Sequence, residues 1–118
     1  MSFYTTIYYA LASHGFLVIA LNHQDESCFF TFDKDDKDIA HEISKSDLPY
    51  YSGQVKQRVE EIHLTIDSLK ELSPALHFSI FGGFAPNAKI DMSELILAGH
   101  SYGAISMIAA AAKLSDAA

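Results

Sequence analysis

The sequence predicts an α/β fold, and three features support that prediction. Two short apolar runs, Phe16–Leu21 and Leu95–Ala98, have the length and composition of strands covered on both faces. An amphipathic pattern over about 52–72 predicts a helix between them. Small and apolar residues over about 102–113 predict a helix that follows the second run. Helices that alternate with buried strands are typical of a parallel sheet with right-handed crossovers.

The predicted elements follow from apolar spacing and from capping residues. Three- and four-residue apolar steps predict a helix over about 2–14, with Ser2 as its N-cap and Gly15 just after its end. The predicted strands extend over about 16–22 and 95–99. In the central helix, the apolar residues Val55, Val59, Ile62, Ile66 and Leu69 form one stripe, with charged residues such as Arg58 falling largely between them. We expect this stripe to pack on the sheet, with Ser52 as the helix cap and Ser73-Pro74 as its stop.

Most of the remaining stretches are predicted to be loops, and Phe29, Phe30 and Phe32 mark a possible short strand or packed loop. The charged run Asp33–Asp38 lacks the ligand spacing of an EF-hand, so we expect a solvated loop and no metal site. Gly82-Gly83 interrupts the apolar segment 77–85, which favours a loop there. Asp91 or Ser93 is expected to open a turn before the second strand.

Composition limits the classes of function. The chain has 118 residues, a length that predicts one domain at most, and 49% of them are hydrophobic, which is enough for a core. The net charge of −7 argues against nucleic acid or an anionic membrane surface as an electrostatic partner. A single cysteine, Cys28, excludes an intrachain disulfide, and no apolar run approaches the roughly 18 residues of a membrane span.

The second strand leads into the motif Gly99-His100-Ser101-Tyr102-Gly103, which has the G-x-S-x-G pattern of a nucleophile elbow. In such an elbow a serine occupies a strained turn between a strand and a helix, and glycines on either side leave room for the close backbone approach. The order of strand, turn and helix around Ser101 matches that requirement. The sequence therefore predicts a catalytic nucleophile at Ser101, with Gly99 and Gly103 as the elbow glycines.

A serine nucleophile also needs a base, an acid that orients the base, and an oxyanion hole. No histidine follows Ser101, and His100 is expected to point away from it; each other histidine is expected to cap, pack or lie on the surface. Asp116 lies too far along the final helix to be the triad acid. The backbone N–H of Tyr102 supplies one oxyanion donor. The second donor normally lies in a loop that would precede Met1, so we expect the triad Asp and His, and this donor, to lie outside the chain.

Several stretches together resemble the plasma-type platelet-activating factor acetylhydrolases, also called group VII phospholipases A2. They are L-A-S-H-G-F at 11–16, N-H-Q-D at 22–25, Q-V-K-Q-R at 54–58, I-D-M at 90–92 and G-H-S-Y-G-A at 99–104. The resemblance covers about residues 4–112, and the combination is much more specific than the elbow alone.

The resemblance implies a calcium-independent serine esterase with an α/β-hydrolase fold and no cofactor. Its implied substrates are phospholipids like platelet-activating factor, from which it removes acetyl or short, oxidised sn-2 acyl groups. Ser101 matches the family nucleophile and Tyr102 the neighbouring oxyanion residue. Gln24, Tyr102 and Ala104 depart from the usual arginine, phenylalanine and glycine. Residues 1–118 are thus expected to be a central fragment of one catalytic domain, with a further family strand lying between the two strands predicted here.

Three alternatives stay open at the level of sequence. The chain is the nucleophile-bearing part of an active lipid esterase, a non-catalytic truncated remnant, or part of another α/β-hydrolase such as a lipase. The expected partner is a phospholipid or a short-chain ester, and peripheral contact with a lipid surface stays open. The sequence does not indicate a cellular location or the acyl-chain preference.

Overall fold

The structure is a computed structural model, and it describes residues 4–28, 31–33, 35, 37–39, 47–83 and 85–116. Four α-helices dominate the described residues: α1 Thr5–Ser13, α2 Leu48–Glu71, α3 Pro74–Phe81 and α4 Tyr102–Asp116. A short 3-10 helix, Met92–Glu94, precedes the elbow segment. Two strands, β1 Thr31–Phe32 and β2 Asp38–Ile39, pair antiparallel with Thr31 opposite Ile39 and Phe32 opposite Asp38.

The helices predicted from apolar spacing form, with corrected boundaries. In α1 the predicted C-terminal glycine is confirmed, because Gly15 adopts a φ of 91° directly after the last turn. The proposed cap Ser2 lies outside the described residues. The prediction of Ser52 as the cap of α2 is wrong: the helix begins a turn earlier, where the Asp47 side chain accepts a hydrogen bond from the Tyr50 N–H at 2.9 Å.

The prediction of a loop over 77–85 is also wrong over its first half, because α3 includes residues 77–81. The Ser73 hydroxyl accepts a hydrogen bond from the Leu76 N–H at 3.2 Å, and Pro74 occupies the first turn. Gly82, at a φ of 58°, terminates the helix. The glycine pair therefore ends a helix instead of marking a loop throughout.

The predicted strands at 16–22 and 95–99 belong to no ladder in the part of the chain that the structure describes. Both segments keep large apolar side chains exposed, among them Phe16 at 48% and Ile96 at 68%. A strand is formed by pairing with a neighbour, and the two segments do not pair with each other. The expected parallel sheet is thus replaced, among the described residues, by the short antiparallel pair of β1 and β2.

The core lies between α2 and α4. Its buried members are Val59, Ile62 and Ile66 on α2 and Ala110 on α4. The apolar stripe of α2 therefore packs on α4 instead of the predicted sheet, and the small side chains Ser106 and Ala110, both at 0% exposure, let the helices approach closely. Leu21 and Leu97, from the two predicted strand segments, also contact this core and so tie the elbow segment to it.

Candidate active site

Ser101 occupies the strained turn that the motif predicts. It has a φ of 53°, in the left-handed region that a serine rarely adopts, and it lies directly before α4. The turn is closed by two backbone hydrogen bonds, from the Gly103 N–H to the His100 carbonyl at 2.9 Å and from the Ala104 N–H to the Ser101 carbonyl at 3.0 Å. The side chain is thereby held at an exposed position at the start of the helix.

The two elbow glycines differ in what their positions require. A Cβ atom at Gly99 would lie 2.4 Å from the carbonyl oxygen of Gly103 and 2.8 Å from the backbone nitrogen of Ala104. Backbone atoms cannot give way to such a contact, so position 99 needs glycine. A Cβ atom at Gly103 would meet nothing within 4 Å. The expectation that the turn itself requires glycine on both sides is therefore wrong for Gly103.

Tyr102 is the first residue of α4, where a backbone N–H has no carbonyl partner within the helix. Such a group carries part of the positive end of the helix dipole and lies beside the Ser101 turn. This arrangement has the chemistry of an oxyanion donor, which is the role predicted for Tyr102.

The Tyr102 side chain is anchored on α2, a feature that the sequence analysis missed. Its hydroxyl lies 3.0 Å from the Tyr51 carbonyl oxygen and 3.0 Å from Oε1 of Gln54. The Arg58 guanidinium carbon lies 4.3 Å from the ring centroid, within the range of a cation–π contact. Burial raises the pKa of Tyr102 above its ordinary value of 10.0, although the Arg58 charge opposes that shift.

Arg58 in turn belongs to a buried ion pair with Asp25. Arg58 Nε donates to Asp25 Oδ2 at 2.5 Å, and the two residues are 8% and 3% exposed. Ser27 completes the cluster, because its hydroxyl donates to Asp25 Oδ1 at 2.6 Å and accepts from Arg58 at 2.5 Å. Burial works to raise the pKa of Asp25, but the hydrogen bonds and charge of Arg58, with the Ser27 bonds, hold it below its ordinary value of 3.8.

None of the histidines that the structure describes hydrogen-bonds to the Ser101 hydroxyl. His100 Nδ1 instead lies 2.7 Å from the Tyr4 hydroxyl. His63 and His77 contact the backbone carbonyls of Ala110 and Ala88, at 3.2 and 3.0 Å.

Neither His23 nor His14 hydrogen-bonds to the Ser101 hydroxyl. His23 Nδ1 lies 2.5 Å from Glu61 Oε2, and His14 is an exposed residue after α1. His41 lies outside the described residues. Asp116 ends α4, and at about 1.5 Å per residue the helix places its backbone roughly 20 Å from the elbow. The described residues thus place no histidine base in hydrogen-bond contact with Ser101.

No group of three or more potential metal ligands lies together in the described ranges. Among the helices of those ranges, none has both the length and the apolarity needed to cross a membrane.

Sequence reasoning named Ser101, Tyr102, Gly99 and Gly103 but did not assign a role to Asp25, Gln54 or Arg58. A local signal exists for the last two. They lie four residues apart on α2, directly beside Val55 and Val59 of the apolar stripe, and so share a helix face with the core. In the sequence analysis Arg58 instead counted among the charged residues that fall largely between the stripe positions.

The sequence of this chain is similar to that of known proteins. A family model described as "Platelet-activating factor acetylhydrolase, isoform II" matches residues 1–116. A platelet-activating factor acetylhydrolase from Cavia porcellus is 31% identical over 122 aligned positions, which cover 91% of this chain and 28% of that relative. No solved structure matches the chain. The chain therefore spans little more than a quarter of the relative's length, and it belongs to the platelet-activating factor acetylhydrolase family.

Proposed function

We propose that this chain carries the nucleophile of a serine esterase, a carboxylic ester hydrolase that acts on phospholipids like platelet-activating factor. The bond cleaved is the ester of the sn-2 acetyl group or of a short, oxidised acyl group. The observation that carries the proposal is the positive φ of Ser101 directly before α4, together with the lack of room for any side chain at Gly99. Family membership supports the substrate class, because the matched relative is named for that activity.

The proposed reaction is acyl transfer through a covalent intermediate. The Ser101 oxygen attacks the ester carbonyl carbon while its proton passes to a histidine. The tetrahedral intermediate collapses, the bond to the glycerol oxygen breaks, and the leaving alcohol takes that proton. Water then attacks the acyl-serine, releasing the carboxylic acid and restoring the hydroxyl. The backbone N–H of Tyr102 stabilises the negative charge on the carbonyl oxygen in both steps.

The triad aspartate and histidine are proposed to come from residues beyond these 118. Two observations support this: none of the described histidine side chains hydrogen-bonds to the Ser101 hydroxyl, and the relative is much longer than the matched region. In this proposal residues 1–118 are the central part of one α/β-hydrolase catalytic domain. The exposed apolar segments at 16–20 and 95–96 are then surfaces on which further strands of that domain pack.

Labelling of the intact protein that contains this chain with a fluorophosphonate tests the nucleophile. The reagent phosphonylates activated serines, so we expect labelling in the wild type and none in Ser101→Ala. Ser115→Ala is the matched control, since Ser115 is an exposed serine on α4 whose hydroxyl bonds the Ala112 carbonyl at 2.7 Å. Labelling that persists in Ser101→Ala contradicts the proposal.

The exposed apolar segments also favour a second candidate, a non-catalytic remnant that binds lipid or protein through those segments. Esterase activity separates the two. We expect the isolated 118-residue chain to be inactive on p-nitrophenyl acetate and the intact protein to be active. An intact protein without activity favours the remnant.

A further inference from the structure

The residue after the nucleophile is bound by its side chain to a different helix. Tyr102 follows Ser101 directly, yet its hydroxyl lies within hydrogen-bond distance of two acceptors on α2, the Tyr51 carbonyl and Gln54 Oε1. The backbone of the elbow and the start of α4 are thus fixed from α2 and not by the turn alone.

Gln54 determines the direction of that hydrogen bond. The residue is 6% exposed, and its Nε2 donates to the Asp25 carbonyl at 2.6 Å. A carbonyl oxygen only accepts, so the amide nitrogen must face Asp25 and the amide oxygen must face Tyr102. Tyr102 is therefore the donor, and the single Gln54 side chain joins the loop at Asp25 to the first residue of α4.

Arg58 makes a second connection between the same three elements. Its guanidinium lies over the Tyr102 ring and also holds Asp25 and Ser27. Glu26, between those two residues, has a φ of 62°, and Ser101 has a φ of 53°. A strained backbone conformation persists only where surrounding contacts hold it in place. Glu26 is flanked by Asp25 and Ser27, which bind Arg58, and Ser101 is followed by Tyr102, which contacts Gln54 and Arg58.

We propose that Gln54 is a positioning residue: by accepting the hydrogen bond of the Tyr102 hydroxyl it holds that side chain against α2, and so aims the backbone N–H groups beside Ser101 at the oxyanion. This inference rests on the proposed esterase function. An oxyanion donor acts only when it points at the position that the charged oxygen will occupy. A displacement of about 1 Å in such a group is enough to slow a reaction by about 100-fold. Loss of one or both hydrogen bonds of the Tyr102 hydroxyl loosens its attachment to α2, and we expect a smaller loss of rate than this.

The test is a mutant cycle on hydrolysis of p-nitrophenyl acetate by the intact protein. Gln54→Ala removes the side-chain acceptor of the Tyr102 hydroxyl and leaves the Tyr51 carbonyl. Tyr102→Phe removes only the hydroxyl and keeps the ring over Arg58. We expect each single variant to lower kcat by about tenfold, with KM within about twofold of the wild type. The kcat of the double variant should be no more than about twofold below that of the slower single variant, because both changes break the hydrogen bond between Tyr102 and Gln54.

The controls are matched by residue type. Gln57→Ala alters an exposed glutamine of α2, and Tyr9→Phe removes a hydroxyl from a tyrosine that is 74% exposed. Both should keep the wild-type kcat. The fraction of molecules that a fluorophosphonate finally labels should be equal in all folded variants, while the rate of labelling should fall with kcat. A purely structural role would lower the labelled fraction and leave the kcat of the remaining active molecules unchanged.

Two results overturn the inference. One is a wild-type kcat in Tyr102→Phe. The other is a double variant whose loss of kcat equals the product of the losses in Gln54→Ala and Tyr102→Phe. If Gln54→Ala does not fold, the kcat of Tyr102→Phe compared with that of Tyr9→Phe tests the inference alone. Ser101→Ala, measured alongside, separates the two proposals. Activity that survives in Ser101→Ala refutes the esterase assignment. Activity that is lost in Ser101→Ala but retained in Gln54→Ala and Tyr102→Phe refutes only the positioning role of Gln54.

Discussion

Nε of Arg58 on α2 donates to the Asp25 carboxylate, 33 positions earlier in the chain, and both side chains are buried. Removing one member of such a pair leaves the other charge buried without compensation. We therefore expect Asp25→Ala to lower the free energy of unfolding by about 3 kcal/mol. Urea denaturation of the intact protein, followed by circular dichroism, measures this loss.

An exposed ion pair on the same helix provides the control. Lys70 Nζ lies 3.3 Å from Asp67 Oδ1, and the two side chains are 54% and 66% exposed. Solvent screens such a pair, so Asp67→Ala should cost less than about 1 kcal/mol. Equal losses in the two aspartate variants would contradict a stabilising role for the buried pair.

The lowered pKa of Asp25 predicts that the stability of the folded protein depends on pH. The pKa of Asp25 is below 3.8 in the folded protein, so between the two values the unfolded chain binds more protons than the folded one. Its contribution to the free energy of unfolding is present above the unfolded pKa and is lost as the pH falls through the lowered, folded pKa.

Asp25→Asn removes this titration while nearly preserving shape. Urea denaturation at a series of pH values should show the largest difference between wild type and Asp25→Asn near neutrality. That difference should shrink as the pH falls below about 4. The other carboxylates contribute equally to the pH dependence of both proteins, so their contributions cancel in the difference. A difference that stays constant down to pH 3, or grows there, would contradict the assigned direction of the shift.

The parts of the fold that were predictable depend on contacts that are close in sequence. The stripe from Val55 to Leu69 recurs with the period of a helix, and α2 forms there. Its first turn was missed because Asp47 and Pro49, a cap and a first-turn proline, lie in a stretch that is otherwise polar and irregular. The glycine at 82 is a comparable case, since a helix stop and a loop have the same local signal.

The strands were less predictable because a strand depends on its neighbours. An apolar run such as Phe16–Leu21 indicates burial, but it carries no information on which segment pairs with it. The same limit applies to the site. The elbow is contiguous, so Gly99 and Ser101 were found from spacing, whereas the contact between Tyr102 and Gln54 joins positions 48 residues apart.

The unequal surroundings of the two elbow glycines give the last prediction. At position 99 any side chain collides with the backbone of Gly103 and Ala104, so Gly99→Ala must open the turn. An opened turn moves Ser101 out of its left-handed conformation, and we expect the rate of fluorophosphonate labelling to fall at least about 100-fold, as for a nucleophile displaced by about 1 Å.

Gly103 lies within α4, where a Cβ atom meets open space and alanine is the better helix former. Gly103→Ala should therefore keep its labelling rate and raise the free energy of unfolding by about 0.5–1 kcal/mol. The two variants add the same single methyl group, two residues on either side of Ser101, so each is the control for the other. Equal loss of labelling in both would show that the turn depends on glycine at 103 through a contact with another part of the intact protein. Equal retention would contradict the steric requirement at Gly99 and, with it, the strained elbow on which the assignment of Ser101 depends.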